Sequence, residues 1–220
     1  MTAETTSSNR APGRNPPPLL AQLAQWHPAL FGERPQPLKR GIYEDLLAAH
    51  PGELDATALE QALAFHTRST RYLNAVAQGL PRMNLQGEVV EAPAPKHIYL
   101  ALIEVFRRRQ QHSSEDLAPK LRRRIAQAFE ASGLSQEDYM QLMWQRKNEE
   151  PNALLQEALD EFSAKVAREK AMLHAFETSG QSVTAFADMY GLSVREAQRT
   201  LAEARQRHAN QTAQTETTTP

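Results

Sequence analysis

The sequence predicts a mainly α-helical chain with one small β-hairpin. Apolar residues recur at helical spacing along most of its length. The one strand signal is a pair of short runs, 82–85 and 88–91, on either side of Gln86-Gly87. The 14 prolines of this 220-residue chain mostly cluster where one helix must stop and another begin.

Taken in order, residues 1–15 hold Thr, Ser, Asn, Pro and Gly with little to bury, which predicts a disordered tail. Pro16-Pro17-Pro18 then leads into Leu19, Leu20, Leu23 and Trp26, a helix-spaced set closed by Pro28 and Gly32. Residues 41–50 form a short helix with Ile42, Leu46 and Leu47 on one side, and Pro51-Gly52 breaks it. Asp55 can cap one longer helix reaching about residue 77, which Gly79-Leu80-Pro81 ends. After the hairpin, Pro93 and Pro95 introduce a helix whose Ile98, Leu102, Val105 and Phe106 share a face. Residues 16–112 thus read as one α-rich domain, 113–209 as a helical C-terminal extension, and 210–220 as a second tail. Within the extension, Phe129-Glu130-Ala131-Ser132-Gly133-Leu134-Ser135 resembles Phe176-Glu177-Thr178-Ser179-Gly180-Gln181-Ser182. Both read as a helix end followed by a new N-cap.

Composition removes several functions. There is no Cys, hence no disulfide framework and no thiolate site. No apolar run approaches the roughly 20 residues of a membrane span, and the polar N-terminus lacks a signal-peptide core. A soluble, cytoplasmic protein is expected. No two of the seven His lie three to five residues apart, so no local metal pair is expected. Gly-x-Gly and Walker phosphate loops and the Gly-x-Ser-x-Gly elbow are missing. The adjacent acids Glu44/Asp45 and Glu115/Asp116 would point about 100° apart on a helix. We expect no enzyme, no metal and no cofactor.

Charge points to a polyanion. Residues 1–124 carry 16 Lys and Arg against 12 Asp and Glu, and the remainder carries 9 against 14. On the helix expected after Asp55, Leu59, Ala62, Leu63, Phe65, Leu73 and Val76 gather on one side. Arg68 lies about 130° from the middle of that stripe, with Arg71 and Tyr72 as its i+3 and i+4 neighbours. Guanidinium forks hold phosphate oxygens and a phenol ring stacks on a base or sugar. The alternative is solvated arginines beside a half-buried core tyrosine. Lys39-Arg40, Arg82 and Lys96 with His97 could add cations, the last two near a helix N-terminus that itself favours anions.

Beyond this patch, Pro37-Leu38-Lys39-Arg40-Gly41-Ile42-Tyr43-Glu44-Asp45-Leu46 resembles the opening signature of the FinO/ProQ family of bacterial RNA chaperones. Leu59, Ala62-Leu63, Thr67 and Arg71-Tyr72-Leu73 resemble that family's second block, and Gly79, Arg82, Leu85 and Gly87 its hairpin block. The resemblance covers about residues 17–110. It implies a FinO/ProQ-like RNA-binding domain that takes structured small RNAs and mRNA 3′ ends, a hairpin followed by a single-stranded tail. It implies RNA contacts at Lys39, Arg71, Tyr72 and Arg82; the patch argument adds Arg40, Arg68 and Lys96. Glu60 and Ala64 stand where other members carry Arg, which predicts a narrower basic footprint.

Arg107-Arg108-Arg109 and Arg122-Arg123-Arg124 are either solvated helix faces or a second surface that tracks phosphates. In residues 182–201, Val183, Phe186, Ala187, Tyr190, Gly191, Leu192, Val194 and Ala197 fit a helix-turn-helix, with Arg195 and Arg199 on its second helix. This leaves a DNA-binding regulator and a helical protein adaptor as alternatives to post-transcriptional regulation through RNA.

Overall fold

The computed structural model describes residues 15–217, so the tail expected at the N-terminus falls outside it apart from Asn15. The chain is mostly helical with one two-stranded sheet, and it divides after Trp144 into two compact units. Among the described residues no helix is long and apolar enough to cross a membrane.

The first unit runs α1 (Pro18–Trp26), α2 (Pro28–Phe31), α3 (Ile42–Ala49), α4 (Ala56–Thr67), α5 (Thr70–Ala77), β1 (Arg82–Met83), β2 (Val89–Glu91), α6 (Pro95–Gln110), α7 (Ala118–Ser132) and α8 (Gln136–Met143). Pro28 does more than close α1. Proline disfavours helical backbone at His27 before it, then occupies the first position of α2, where its missing N–H costs nothing. Gly32 ends α2 because a Cβ there would sit 2.4 Å from the Pro28 carbonyl oxygen. Gly41, at φ +80°, caps α3 in left-handed backbone that favours glycine.

The single helix expected from Asp55 to about residue 77 is two helices. Asp55 caps α4 as expected, accepting from the Ala58 N–H. The helix then stops at Arg68, and extended Ser69 caps α5 by accepting from the Tyr72 N–H at 3.2 Å. A serine hydroxyl competes with the i−4 carbonyl for the backbone, which disfavours it inside a helix and favours it at an N-cap. The break rephases the helix. His66 and Tyr72 turn into the core, while Phe65 and Leu73, expected inside, are half-buried.

In the hairpin Arg82 pairs with Glu91 and Met83 with Val89, an irregular register that leaves Val90 as the extra residue. Asn84 shapes the turn, its Oδ1 accepting from the Gln86 and Glu88 N–H groups. α6 packs against α5, α7 and α8, so its buried arc is wider than the expected stripe: Tyr99, Ala101 and Ile103 join Leu102 and Val105, while Ile98 and Phe106 are half-buried.

The second unit holds α9 (Glu149–Ser179), α10 (Val183–Met189) and α11 (Val194–Thr217). Leu173, Leu201 and Ala204 form its core cluster with Met172, Phe176 and Val183. α11 continues past residue 209, where a tail was expected; its Ala, Gln and Glu residues are good helix formers. The two similar segments adopt the same device. Gly133 and Gly180 are left-handed, Ser135 and Ser182 cap the next helix, and Phe129–Tyr139 and Phe176–Phe186 each make an edge contact at 5.2 Å. Tyr139 and Phe186 keep the same sequence offset as the two motifs, so the repeat extends into α8 and α10. α10 and α11 flank a turn at Gly191. Several cations of α11 are committed internally: Arg199 and Arg207 pair with Glu203, Arg207 also with Glu169, and Arg205 lies over Phe176.

Candidate RNA-binding face

The Pro37-Leu38-Lys39 segment lies beside β1. The Met83 N–H donates to the Pro37 carbonyl at 2.8 Å and the Lys39 N–H to the Met83 carbonyl at 2.9 Å, a parallel bridge centred on Leu38. Leu38 is held at both backbone ends by side chains. Its N–H donates to the Tyr72 hydroxyl at 3.1 Å, and its carbonyl accepts from Arg82 Nη1 at 2.7 Å. Residues 44 apart in sequence are thereby locked together.

Cations collect around this bridge. Arg82 Nη2 lies 3.1 Å from His97 Nδ1, and Arg82 Nε 3.6 Å from Glu91 Oε1. Arg40 Nε reaches the same Glu91 oxygen at 3.4 Å, and Lys39 Nζ donates to Asp45 Oδ2 at 2.7 Å. Burial, then the charges of Arg82 and Arg40, push the His97 pKa down; Glu91 opposes this and Lys96 adds to it. A neutral His97 accepts at Nδ1 from Arg82, since guanidinium only donates. Arg40, Arg82, Lys96 and His97 are therefore one electrostatic group, with Glu91 at its centre. Their exposures differ: 13% for the Arg82 side chain against 65% for Arg40. Arg82 is the organiser, both fork nitrogens committed within the fold, and Arg40 and exposed Lys96 are the reachable cations. At the start of α6, Ala94 offers no side-chain cap, which leaves N–H groups facing outward beside Lys96.

The sequence profile of the ProQ/FINO family matches residues 14–118. This part of the chain belongs to the ProQ/FinO family. Two curated proteins called RNA chaperone ProQ are similar to it. One, from Idiomarina loihiensis, is 37% identical over 103 residues, covering 45% of this chain and 44% of that protein. The other, from Aeromonas salmonicida, is 33% identical over 134 residues, covering 56% and 63%. The chain thus spans 44% and 63% of the length of these relatives. A solved FinO-like RNA chaperone from Neisseria meningitidis is 31% identical, covering 38% of this chain and 85% of that one, with a TM-score of 0.35.

Within the ProQ/FinO domain the structure separates the residues expected to form one patch. Arg68 ends α4 and Arg71 opens α5, both exposed, but Tyr72 is only 6% exposed. Its ring lies 5.3 Å from that of His66, and its hydroxyl is used by Leu38. The exposed stacking ring expected beside two arginines is corrected to a core residue, because the break at Ser69 turns Tyr72 inward. Tyr72 instead supports the face from below, through the residue that holds Arg82.

The arginine runs of the ProQ/FinO domain and the helix after it are mostly fastenings. Arg108 donates to the Arg68 carbonyl, to Thr70 Oγ1 and to Glu104, tying α6 to the α4–α5 break. Arg109 donates to Asn74 Oδ1, Arg124 to the Ala77 carbonyl, and Arg107 pairs with Glu104. Arg122 is half-buried and Arg123 exposed. Sequence reasoning also missed His97 and Glu91 as members of the basic group, and the meeting of His27 with His50. The last two approach at 3.2 Å, with His50 stacked on Trp26 and His27 Nδ1 3.2 Å from the Leu85 carbonyl, pinning α1 and α3 to the hairpin. Spacing along a helix carries no signal for residues 23 apart.

Glu91 is the acid within the basic group. Glu91→Gln is expected to tighten RNA binding several-fold and steepen the salt dependence by about 0.7, one phosphate contact. Filter binding across a salt series measures both; weaker binding by a folded variant would refute the role.

Proposed function

We propose that the chain is an RNA chaperone, without catalytic chemistry of its own, that binds structured small RNAs and mRNA 3′ ends. The reading is supported above all by one observation: Arg40, Arg82, Lys96 and His97 converge where the Leu38–Met83 bridge meets the start of α6. Lys39, Arg40 and Lys96 would take phosphates, Arg82 would hold the face in register, and exposed Arg68 and Arg71 would extend it along the RNA stem. The uncapped N–H groups of α6 suit a terminal ribose-phosphate, since an internal strand must find an exit from the same place. Holding the tail would protect the 3′ end, and a shallow basic face leaves base edges free for sense–antisense pairing.

The test is a competition assay with the full chain at one fixed salt concentration. One terminator-type hairpin is compared with versions extended or phosphorylated at either end. A 3′ extension of mixed sequence or a 3′ phosphate is expected to weaken binding more than the same change at the 5′ end. A nonspecific basic surface would bind a longer strand more tightly. Equal affinities, or tighter binding with the 3′ extension, would defeat reading of the terminus.

A further inference from the structure

Between α6 and α7 lies a cleft of about 150 Å³. Its floor is aliphatic and aromatic: Leu102, Val105 and Leu121 are buried, and Phe106 and Leu117 half-buried. Its rim carries three cations, Arg109, Lys120 and Arg124. Lys120 is neutralised by Glu115 at 2.9 Å. The two arginines are not. Arg109 and Arg124 donate to neutral oxygens, Asn74 Oδ1 at 3.0 Å and the Ala77 carbonyl at 3.1 Å, and neither is in an ion pair among the described residues.

We propose that this cleft is a binding site for a small amphiphilic anion, a carboxylate on a short hydrocarbon body, with Arg109 and Arg124 as its head-group receptors. Two like charges held at the mouth of an apolar cleft repel each other unless an anion lies between them. Burial and the neighbouring Arg109 both lower the Arg124 pKa, consistent with that unrelieved repulsion. Each guanidinium has five donors in a planar fork, which suits a carboxylate. The size of the cleft fits one benzene ring or a chain of about six carbons. A nucleobase is a worse occupant: the walls are hydrocarbon, and burying its ring nitrogens and exocyclic groups there would leave them without partners. The site uses none of the residues of the basic face and stands independently of the RNA reading.

The experiment is a methyl NMR titration of the full chain, labelled at Leu and Val, with hexanoate. Saturable shifts of Leu102, Val105, Leu117 and Leu121 are expected at millimolar concentration or below. Hexanol, with no charge, and acetate, with no body, should each bind at least about tenfold more weakly, the worth of one charge-assisted contact. Arg109→Gln and Arg124→Gln should lose a similar factor. Should either variant unfold, Leu117→Trp, which fills the cleft from its half-buried edge, should abolish the shifts. Absence of shifts, equal affinity for hexanol or acetate, or displacement of hexanoate by an equimolar mononucleotide would each overturn the assignment.

Discussion

Tyr72→Ala is expected to destabilise the protein by about 3–5 kcal/mol, the usual loss for a buried aromatic cut back to a methyl group. Tyr72→Phe is the more informative change. It keeps the ring against His66 but removes the acceptor for the Leu38 N–H. A buried N–H left without a partner costs about 1–3 kcal/mol, so Phe should also be destabilising. RNA affinity should fall with it, because Leu38 positions Arg82, while the slope of affinity against salt should stay constant, no phosphate contact having been removed. Urea unfolding and filter binding at several salt concentrations test the two halves. A Tyr72→Phe variant as stable as the parent would reject the tether, and a stably folded Tyr72→Ala variant with weak RNA binding would restore the stacking role.

Acid should weaken the fold through His66. Its ring is buried between Phe31 at 4.8 Å and Tyr72 at 5.3 Å, and its Nε2 has no hydrogen-bond partner. Burial lowers its pKa to about 4, against a backbone hydrogen bond at Leu30 that raises it. The unfolded chain therefore takes up this proton near pH 6.5, and the folded one only near pH 4. Stability is complete above the higher value, falls as pH drops through the interval, and levels off below the lower. The loss amounts to about 3 kcal/mol. His66→Phe should flatten the stability curve over that interval. An NMR titration of the His66 ring provides a direct check; a ring that titrates near pH 6.5 in the folded protein would remove the effect.

The helices could be read from the sequence where chain-local chemistry decides them. Pro18, Asp55 and Pro95 mark helix starts, and Gln86-Gly87 marks the hairpin. The break at Ser69 could not be read this way. A serine inside an apolar pattern caps a new helix only if tertiary packing favours turning Tyr72 inward, and that packing involves Leu38, 34 residues away in sequence. The basic group had the same mixed legibility. Arg40, Arg82 and Lys96 were visible as cations, and the signature around Pro37 and Arg82 placed them in a family. Which were reachable depended on Glu91 and His97, whose positions follow from an irregular hairpin register. The triplets of arginine looked like a phosphate surface because sequence shows charge but not the carbonyl groups of Arg68 and Ala77 that accept from them.

The bridge between Leu38 and Met83 also sets a timetable. Synthesis proceeds from the N-terminus, so Lys39 and Arg40 leave the ribosome 58 residues before His97 arrives. At typical elongation speeds of about 5–20 residues per second, that interval is roughly 3–12 seconds. During it the nascent chain displays loose cations beside ribosomal RNA, and the hairpin that would arrange them does not yet exist. Selectivity for one RNA over another thus begins at a definite chain length, once the start of α6 has emerged, and every earlier intermediate is merely a short, weakly charged polymer.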